Sequence, residues 1–501
     1  MLNSFLSKSL IFLCVIILTW SLWGSYSAMT NSLELKGLAL SNSFIIEGIF
    51  ITFLVIFLIA IASRYMNKTV FFISLIVLTL GIRLAWMLSV QTPVKSDFLV
   101  MLDAARNIAK GNYEFNQSVY FTTWVYQLGF SFYESVIIRC FGDNIFILKL
   151  LNIFYSTGTV IFIYLIGAKV FNELAGRMAA FLYAFYIPNI LYSSVLTNQH
   201  LATFLFYAAF YLIIKRFAHN KFSWLYIGLL LSLGNLMRPL GPIIIVAVFI
   251  YFILQILQPY IKTKNAAELK TRRKKIGKNL VGILATFFIV NALINYSFVA
   301  SGISKYPLSN RDPLWKFVIG FNYETSGSYS SEDASRFMGM PIGEKRAEAE
   351  KEVIKERVAD KEKLLDLFHI KFLNMWGGTD ASTFWSISLT PQEDVPFNKE
   401  KLISAAQSYE RIIYVSTTII SIIGLICLFL RKQDKYPYTL FLLLIIGYVL
   451  IHLLIEIQTR YRFFIFPSFM LLEGFGISVI LSYLIVRFTK NEPKTKCEEI
   501  N

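Results

Sequence analysis

Residues 43–63 read SFIIEGIFITFLVIFLIAIAS and contain a single charged side chain, that of Glu47. About 20 consecutive apolar residues cross the hydrocarbon core of a bilayer as one α-helix, whose backbone groups are all hydrogen-bonded within the segment. The run is therefore long enough to span a membrane. Similar runs recur through the 501-residue chain. We place twelve of them at roughly 8–27, 43–63, 70–90, 144–167, 176–196, 200–214, 222–235, 239–256, 279–299, 411–430, 437–455 and 463–486.

The composition excludes a soluble globular protein. Hydrophobic residues make up 56% of the chain and charged residues 16%, against roughly 45–50% and about 25% in soluble domains. The mean hydropathy is +0.57. Two of the four cysteines, Cys14 and Cys427, fall in apolar runs, so neither a disulfide framework nor a CxxC metal site is indicated. We expect an all-α polytopic membrane protein with about 12 transmembrane helices.

The distribution of charge predicts the orientation. Lysine and arginine exceed aspartate and glutamate by 48 to 32. If the N-terminus is cytoplasmic, the excess lies almost wholly in the inner loops, as the positive-inside rule requires. The densest basic run, 270–278, has the composition of a nucleic-acid patch. We favour contact with anionic lipid instead, because the run lies directly beside a span.

Two long segments, 91–143 and 300–410, are left on the outer face. Within them, Trp124–Phe141 is aromatic and amphipathic and fits the membrane interface. Glu344–Asp366 is dense in charge and predicts an exposed helix with pairs four residues apart. The chain is accordingly divided into an N-terminal two-helix hairpin at 1–69, a transmembrane core at 70–299, an extracytoplasmic region at 300–410, C-terminal helices at 411–486 and a cytoplasmic tail at 487–501.

Polar residues gather at the outer membrane boundary in four places: Pro93–Phe98, Tyr192–His200, Asn235–Pro239 and Glu456–Arg462. The chain has no Walker loop, GxGxxG, HExxH or GxSxG motif, so it shows no recognisable site for binding a nucleotide. A transferase outside the cell needs a donor that is already activated and membrane-tethered, and a polyprenyl phosphate sugar meets that need. Arginine suits its leaving phosphate, and the carboxylate of Asp97 is the best-placed base for a hydroxyl acceptor.

Each of these residues also has a purely structural interpretation. Asp97 can cap the helix that follows it. Arg238, Arg460 and Arg462 can extend to the lipid headgroups. His200 can be a polar residue at a helix end.

Five motifs on the outer side of the predicted core stand out: Ser96–Phe98, Ala105–Asn112, Lys149–Asn152, Tyr186–Pro188 and Tyr192–Ser194. Together they resemble the GT-C class of membrane glycosyltransferases, and in particular the bacterial branch related to protein O-mannosyltransferases and to the aminoarabinose transferases of lipid A. The resemblance covers 70–260 well and the region from Arg460 to Pro467 moderately.

The resemblance implies roles for individual residues. It places Asp97 at the catalytic acid of the first outer loop. It implies that the donor phosphate is bound by Arg238, Arg460, Arg462 and Lys95. It implies that the acceptor or the sugar is positioned by Asn198, His200, Tyr461 and Glu456.

The chain departs from the class in two respects. Several members carry a second acidic residue near the position of Thr197–His200, where this chain has no carboxylate. Oligosaccharyltransferases of the class use a DxD-type metal site, and no DxD occurs in this sequence. A two-acid mechanism is therefore in doubt, a divalent metal is not favoured, and no cofactor is certain.

These observations predict a glycosyltransferase that moves a sugar from a polyprenyl phosphate carrier to a hydroxyl on an outer-face acceptor, such as a cell-envelope glycan, lipid or protein. Its partners would be that donor, the acceptor and membrane lipids, with no nucleic acid, and its location the bacterial plasma membrane. Two alternatives remain open. One is a transporter or flippase for lipid-linked saccharides, although a long outer loop and the lack of an inverted repeat count against it. The other is a polymerase or ligase of such saccharides.

Overall fold

The computed structural model describes residues 2–30, 42–216, 222–257, 266–431 and 436–489. Within these ranges the chain is helical, with an isolated β-bridge between Trp124 and Asn310. The predicted cytoplasmic tail falls almost entirely outside them.

The α-helices of the described residues are numbered in chain order. In the first half they are α1 (Leu2–Thr30), α2 (Asn42–Tyr65), α3 (Lys68–Ser89), α4 (Asp97–Lys110), α5 (Val119–Thr123), α6 (Leu128–Phe141), α7 (Ile145–Val170), α8 (Glu173–Phe185), α9 (Ile187–Leu191), α10 (Gln199–Arg216), α11 (Ser223–Met237) and α12 (Gly241–Leu257). In the second half they are α13 (Ala266–Ala300), α14 (Trp315–Gly320), α15 (Ser331–Phe337), α16 (Glu344–Arg357), α17 (Lys361–Phe372), α18 (Lys399–Leu430), α19 (Thr439–Leu454) and α20 (Phe466–Thr489). Short 3₁₀ or π-helical turns lie at Glu114–Gln117, Val125–Gln127, Tyr192–Ser194, Leu373–Gly377, Phe384–Ser388, Gln392–Asp394 and Thr459–Phe464.

The long apolar helices coincide with the predicted spans. Among the described residues, α1, α2, α3, α7, α13, α18 and α20 are long and apolar enough to cross a membrane, and α8 with the bent continuation through α9 would form an eighth span. Helices α11, α12 and α19 are apolar but shorter. Together with α10, these elements occupy all twelve predicted segments, and the predicted all-α polytopic fold is confirmed.

The fifth predicted span, 176–196, is not one continuous helix. Its two parts are bent by 54°, because Pro188 lacks a backbone N–H and the chain just before it is extended, with ψ of 116° at Tyr186. The guanidinium of Arg83 donates to the carbonyl of Ala184 at 2.9 Å and so satisfies a group that the break exposes. The bend carries the chain toward Tyr192 and the beginning of α10.

Helix α20 packs closely against its neighbours through glycines. A Cβ at Gly474 would lie 2.4 Å from the carbonyl oxygen of Ala175 in α8, and one at Gly476 would lie 2.3 Å from that of Ile420 in α18. Small residues allow backbones to approach this closely in membrane helices, where dispersion contacts drive association. The packing fixes the start of α20, and with it the turn Thr459–Phe464 that precedes the helix.

The charged segment Glu344–Asp366 differs from the expected single exposed helix. It forms α16 and the first half of α17, separated by a break at 358–360. One face of α16 is buried, because Arg346 pairs there with both Asp312 and Glu350. The expected pairing four residues apart is present between Arg346 and Glu350. The face that carries this pair is buried and not solvated, because Asp312, which lies outside the segment and which no helical spacing reveals, packs against it.

Candidate active site

Asp97 is the first residue of α4, where the positive end of the helix dipole favours a negative charge. Its side chain is 41% exposed, so its carboxylate is accessible from outside the fold. The preceding residue, Ser96, has φ of 56° and ψ of −140°, a conformation that L-residues other than glycine rarely adopt. Backbone strain is therefore concentrated at the residue that sets the direction of Asp97.

The carboxylate of Asp97 faces Arg460. Oδ2 of Asp97 lies 3.6 Å from Nη2 of Arg460, whose side chain is only 13% exposed. The guanidinium lies over the ring of Trp385, 4.8 Å from its centroid, and 5.8 Å from that of Phe98. Burial lowers the pKa of Arg460, but Tyr461 and Asp97 outweigh burial, and the pKa is raised overall. Arg460 is therefore held charged and oriented beside the carboxylate.

Arg238 approaches the same place from the link between α11 and α12. Its guanidinium lies 5.3 Å from the ring centroid of Tyr461. With the amide of Gln199 in the orientation that satisfies both neighbours, Gln199 accepts from Arg238 at 3.2 Å and donates to the carbonyl of Arg460 at 3.2 Å. None of the ion pairs in the described part of the chain involves Arg238. Its guanidinium is therefore a cation that no carboxylate of those residues neutralises.

A second ion pair lies on the other flank of Tyr461. Nζ of Lys316 bonds Oε2 of Glu456, and the amide of Gln458 donates to Oε1 of the same carboxylate at 2.7 Å. Tyr461 Oη lies 3.5 Å from Oε2. Burial raises the pKa of Glu456, but the charge of Lys316 outweighs burial and lowers it overall.

Tyr126, in the 3₁₀ turn after α5, connects this pair to Asp97. Burial raises the pKa of the Tyr126 phenol to about 12. The charge of Lys316 opposes that rise, and Glu456 and Asp97 add to it. The phenol of Tyr126 therefore lies within electrostatic reach of each of these three charged groups. With Arg238 and Arg460, the site holds three cations and two carboxylates.

Arg462 is not in this cluster. Its side chain is fully buried, and Nη2 lies 3.4 Å from Asp380 and 3.7 Å from Glu410. Its Nη1 donates to the carbonyl of Gly378 at 3.0 Å. Glu410 in turn pairs with Arg411 at 2.5 Å. The structure thus places Arg462 in a buried ionic network that joins the turn before α20 to α18, and not beside Asp97.

The other predicted site residues have structural partners. Lys95 is exposed and donates to the carbonyl of Leu389 at 3.1 Å. Asn198 donates to the carbonyl of Met237 at 3.0 Å and so ties the start of α10 to the end of α11. His200 is buried, with Nε2 3.1 Å from the carbonyl oxygen of Tyr192 and Nδ1 without a partner.

Sequence reasoning missed several residues at the site, namely Lys316, Gln199, Tyr126 and Trp385. Gln199 lies within the polar stretch Tyr192–His200, so the sequence does indicate it as a candidate. The other three lie in long outer segments, where neither spacing nor membrane depth distinguishes them from surface residues.

The donor set does not fit a divalent cation. Ca²⁺ and Mg²⁺ require six or more oxygen ligands. Asp97 instead faces a guanidinium, and Glu456 is engaged by Lys316 and Gln458.

Comparison with known proteins gives a match in the middle of the chain. Residues 128–267 match the family model described as dolichyl-phosphate-mannose-protein mannosyltransferase. The predicted resemblance to GT-C membrane glycosyltransferases is confirmed. The match includes Gln199 and Arg238. No curated protein matches the chain.

Solved structures with a similar course of the chain include two membrane enzymes. The oligosaccharyltransferase AglB from Archaeoglobus fulgidus, in complex with an inhibitory peptide and a dolichol-phosphate, aligns with a TM-score of 0.47 and 13% identity over 86% of this chain and 53% of its own. ArnT from Cupriavidus metallidurans, bound to undecaprenyl phosphate, aligns with a TM-score of 0.36 and 10% identity over 84% of this chain and 79% of its own. The chain thus spans about half the length of the oligosaccharyltransferase.

Proposed function

We propose that this protein transfers a sugar from a polyprenyl phosphate carrier to a hydroxyl acceptor at the outer face of a bacterial plasma membrane. One observation carries the proposal: Arg238 and Arg460 both lie beside the ring of Tyr461, and Arg460 also pairs with Asp97, although the three charged residues are far apart in the chain. Such a transfer uses a carboxylate that the acceptor can reach, here Asp97, and a guanidinium that no carboxylate of the described residues neutralises, here Arg238. The family match at residues 128–267 supports the same reaction class.

The chemistry follows from the two kinds of group. Asp97 accepts the proton of the acceptor hydroxyl as its oxygen attacks the anomeric carbon of the sugar. The bond between that carbon and the phosphate oxygen breaks, and the carrier phosphate leaves with the electron pair. The guanidinium groups of Arg238 and Arg460 stabilise the charge that develops on the phosphate, because their fork of donors matches its oxygens.

Arg460 takes part in both halves of this reaction. Its guanidinium pairs with Asp97. A phosphate that binds Arg460 competes for the same donors and frees the carboxylate for the acceptor. Arg462 does not contact the phosphate in this proposal, because its guanidinium is engaged by Asp380, Glu410 and backbone carbonyls.

The outer-face assignment rests on charge. The basic residues exceed the acidic ones mainly in the loops on the side opposite Asp97. The basic N-terminal part of α13 lies on that side. A catalytic group on the outer face has no access to ATP, which agrees with a donor that is already activated.

Purified protein in detergent tests the proposal. We expect it to bind undecaprenyl phosphate and to release that carrier from undecaprenyl phosphate glucose or mannose when membrane extract supplies acceptors. Transfer needs no gradient, whereas a flippase would give no product in detergent. Failure to bind undecaprenyl phosphate, or binding without release of the carrier from any sugar donor, would refute the proposal.

A further inference from the structure

The side chain of Gln199 bridges the two arginines of the candidate site. Its amide oxygen accepts from Nη1 of Arg238 at 3.2 Å, and its amide nitrogen donates to the backbone carbonyl of Arg460 at 3.2 Å. Gln199 is only 2% exposed, so water does not readily replace either partner. One buried amide therefore ties the guanidinium of Arg238 to the backbone that carries the guanidinium of Arg460.

Gln199 is the first residue of α10, and its two neighbours in sequence hold that helix start in place. On one side, the amide of Asn198 donates to the carbonyl of Met237 at the end of α11, at 3.0 Å. On the other side, Nε2 of His200 lies 3.1 Å from the carbonyl oxygen of Tyr192. The amide of Gln199 therefore extends from an anchored helix start and not from a mobile loop.

A neutral amide suits both partners of Gln199. A guanidinium only donates and a carbonyl only accepts, and an amide offers one oxygen to the first and one N–H to the second. An ionised carboxylate of the same length would accept from Arg238 but place its second oxygen against the carbonyl of Arg460, with no hydrogen between them. It would also give Arg238 an anionic partner. The amide therefore orients Arg238 without neutralising it.

The bridge holds together two cations that repel each other. The guanidinium groups of Arg238 and Arg460 lie 5.3 and 5.7 Å from the ring centroid of Tyr461. Arg460 is paired with Asp97, whereas Arg238 has no carboxylate partner in the described part of the chain. Gln199 takes one of the five N–H groups of the Arg238 guanidinium and leaves the others for the oxygens of a phosphate.

We propose that Gln199 is a positioning residue for the donor phosphate, which holds Arg238 beside Arg460 and keeps the positive charge of Arg238 available to the carrier. The inference rests on the proposed function and adds to it the residue that sets the geometry and the charge of the phosphate site. Gln199 does not contact the carrier itself and acts through Arg238.

Titration of the detergent-solubilised protein with labelled undecaprenyl phosphate tests the inference. Gln199→Met keeps the length of the side chain and removes both hydrogen-bonding atoms, so carrier affinity should fall about three- to ten-fold. Gln199→Glu keeps the shape but adds a charge that pairs with Arg238, so carrier affinity should fall about ten- to a hundred-fold. Gln407→Met and Gln407→Glu, at a glutamine of α18 that donates to Thr383, are the matched controls and should bind the carrier as the parent does.

The order of the two Gln199 variants separates an effect of charge from a loss of packing. The start of a helix favours a negative charge, so Gln199→Glu should melt no lower than Gln199→Met. If Gln199 only filled space, the glutamate, which has the same shape, would be the milder of the two changes. The glutamate variant should instead bind the carrier more weakly than the methionine variant. It also keeps the inference testable if Gln199→Met fails to fold.

A double-mutant cycle shows whether Gln199 acts through Arg238. In the Arg238→Met background, Gln199→Met should change carrier affinity less than about two-fold, because the guanidinium that Gln199 orients is gone. An equal loss in both backgrounds would overturn the inference while the proposed function stands. So would carrier affinity that is unchanged in the folded Gln199 variants but reduced in Arg238→Met. Failure of the parent protein to bind undecaprenyl phosphate would instead count against the proposed function.

Discussion

Oδ2 of Asp97 lies 3.6 Å from Nη2 of Arg460, although the two residues stand near opposite ends of the chain. The contact joins the first residue of α4 to the turn that precedes α20. Because the side chain of Asp97 is 41% exposed and that of Arg460 13%, a ligand reaches the carboxylate more readily than the guanidinium. Substitution of Asp97 should therefore affect transfer more than carrier binding, because Asp97 is the more accessible of the two groups.

Replacement of Asp97 by Asn should separate catalysis from binding. The amide keeps the shape of the carboxylate but cannot accept the acceptor's proton, so transfer should fall about 10²- to 10⁴-fold. Affinity for undecaprenyl phosphate should be retained or increased, because Arg460 loses its competing anion. Asp103→Asn, at an exposed residue of the same helix that pairs with Arg106, is the control. Full activity in the Asp97 variant would remove the base from the mechanism.

Arg238→Met should act on the carrier. A charge-assisted hydrogen bond contributes roughly 1.5–3 kcal/mol, so binding of undecaprenyl phosphate should weaken about ten- to a hundred-fold. Arg238→Lys keeps a positive charge but loses the paired donors of the guanidinium, so its affinity for the carrier should lie between those of the parent and of Arg238→Met. Titration of labelled carrier measures both, with Arg64→Met, at the exposed end of α2, as the control. Unchanged carrier affinity would show that the phosphate lies elsewhere.

The helices and one half of the candidate site could be predicted from the sequence. Apolar run length predicts the helices, since a membrane leaves few other solutions for a spanning chain. The same reasoning places the ends of alternate helices at one boundary. Asp97, Arg238 and Arg460 belong to one group because each follows or precedes a span at that boundary. Recognising this group requires no knowledge of contacts.

The rest could not be predicted, because it depends on how 300–410 packs. Lys316 and Trp385 reach the site through contacts between distant segments, and their neighbours in sequence carry no periodic signal. The sequence does not distinguish Arg460 from Arg462, since both flank Tyr461. Their different environments follow from Asp380, whose approach only the three-dimensional fold reveals.

Arg462 and Asp380 are expected to behave as a structural pair. Arg462→Met should destabilise the protein by about 3–5 kcal/mol, because Asp380 and Glu410 lose their partner in a buried place. Adding Asp380→Asn should restore part of that loss. Thermal unfolding in detergent measures both. If the single variant instead unfolds normally and loses carrier affinity, Arg462 belongs to the phosphate site.

Ser96→Gly should stabilise the protein by about 1 kcal/mol. Glycine adopts the φ of 56° found at Ser96 without the steric cost of a Cβ. Ser96→Val should destabilise it, since a β-branched residue tolerates that conformation least. The melting temperatures of the two variants should therefore move in opposite directions. If the melting temperatures of both variants fall, the backbone at Ser96 is not strained.

Glu350→Gln tests the buried face of α16. Asp312 and Glu350 share the single guanidinium of Arg346, and all three side chains are nearly inaccessible. Burial, together with the neighbouring Asp312 carboxylate, raises the pKa of Glu350 from its ordinary 4.5 to about 7. A raised pKa means that the folded state holds the proton more tightly than the unfolded state. Stability from this group is therefore full below about pH 4.5 and is lost as the pH rises toward 7.

The glutamine cannot ionise, and its amide oxygen can still accept from Nε of Arg346. The variant should match the parent near pH 4.5 and exceed it by roughly 1–3 kcal/mol at pH 8. Melting temperatures measured across this range test the expectation, with Glu352→Gln, on the exposed face of the same helix, as the matched control. A variant less stable than the parent at pH 8 would mean that the ionised Glu350 is needed by Arg346, and that the excess negative charge on this face is compensated by another group.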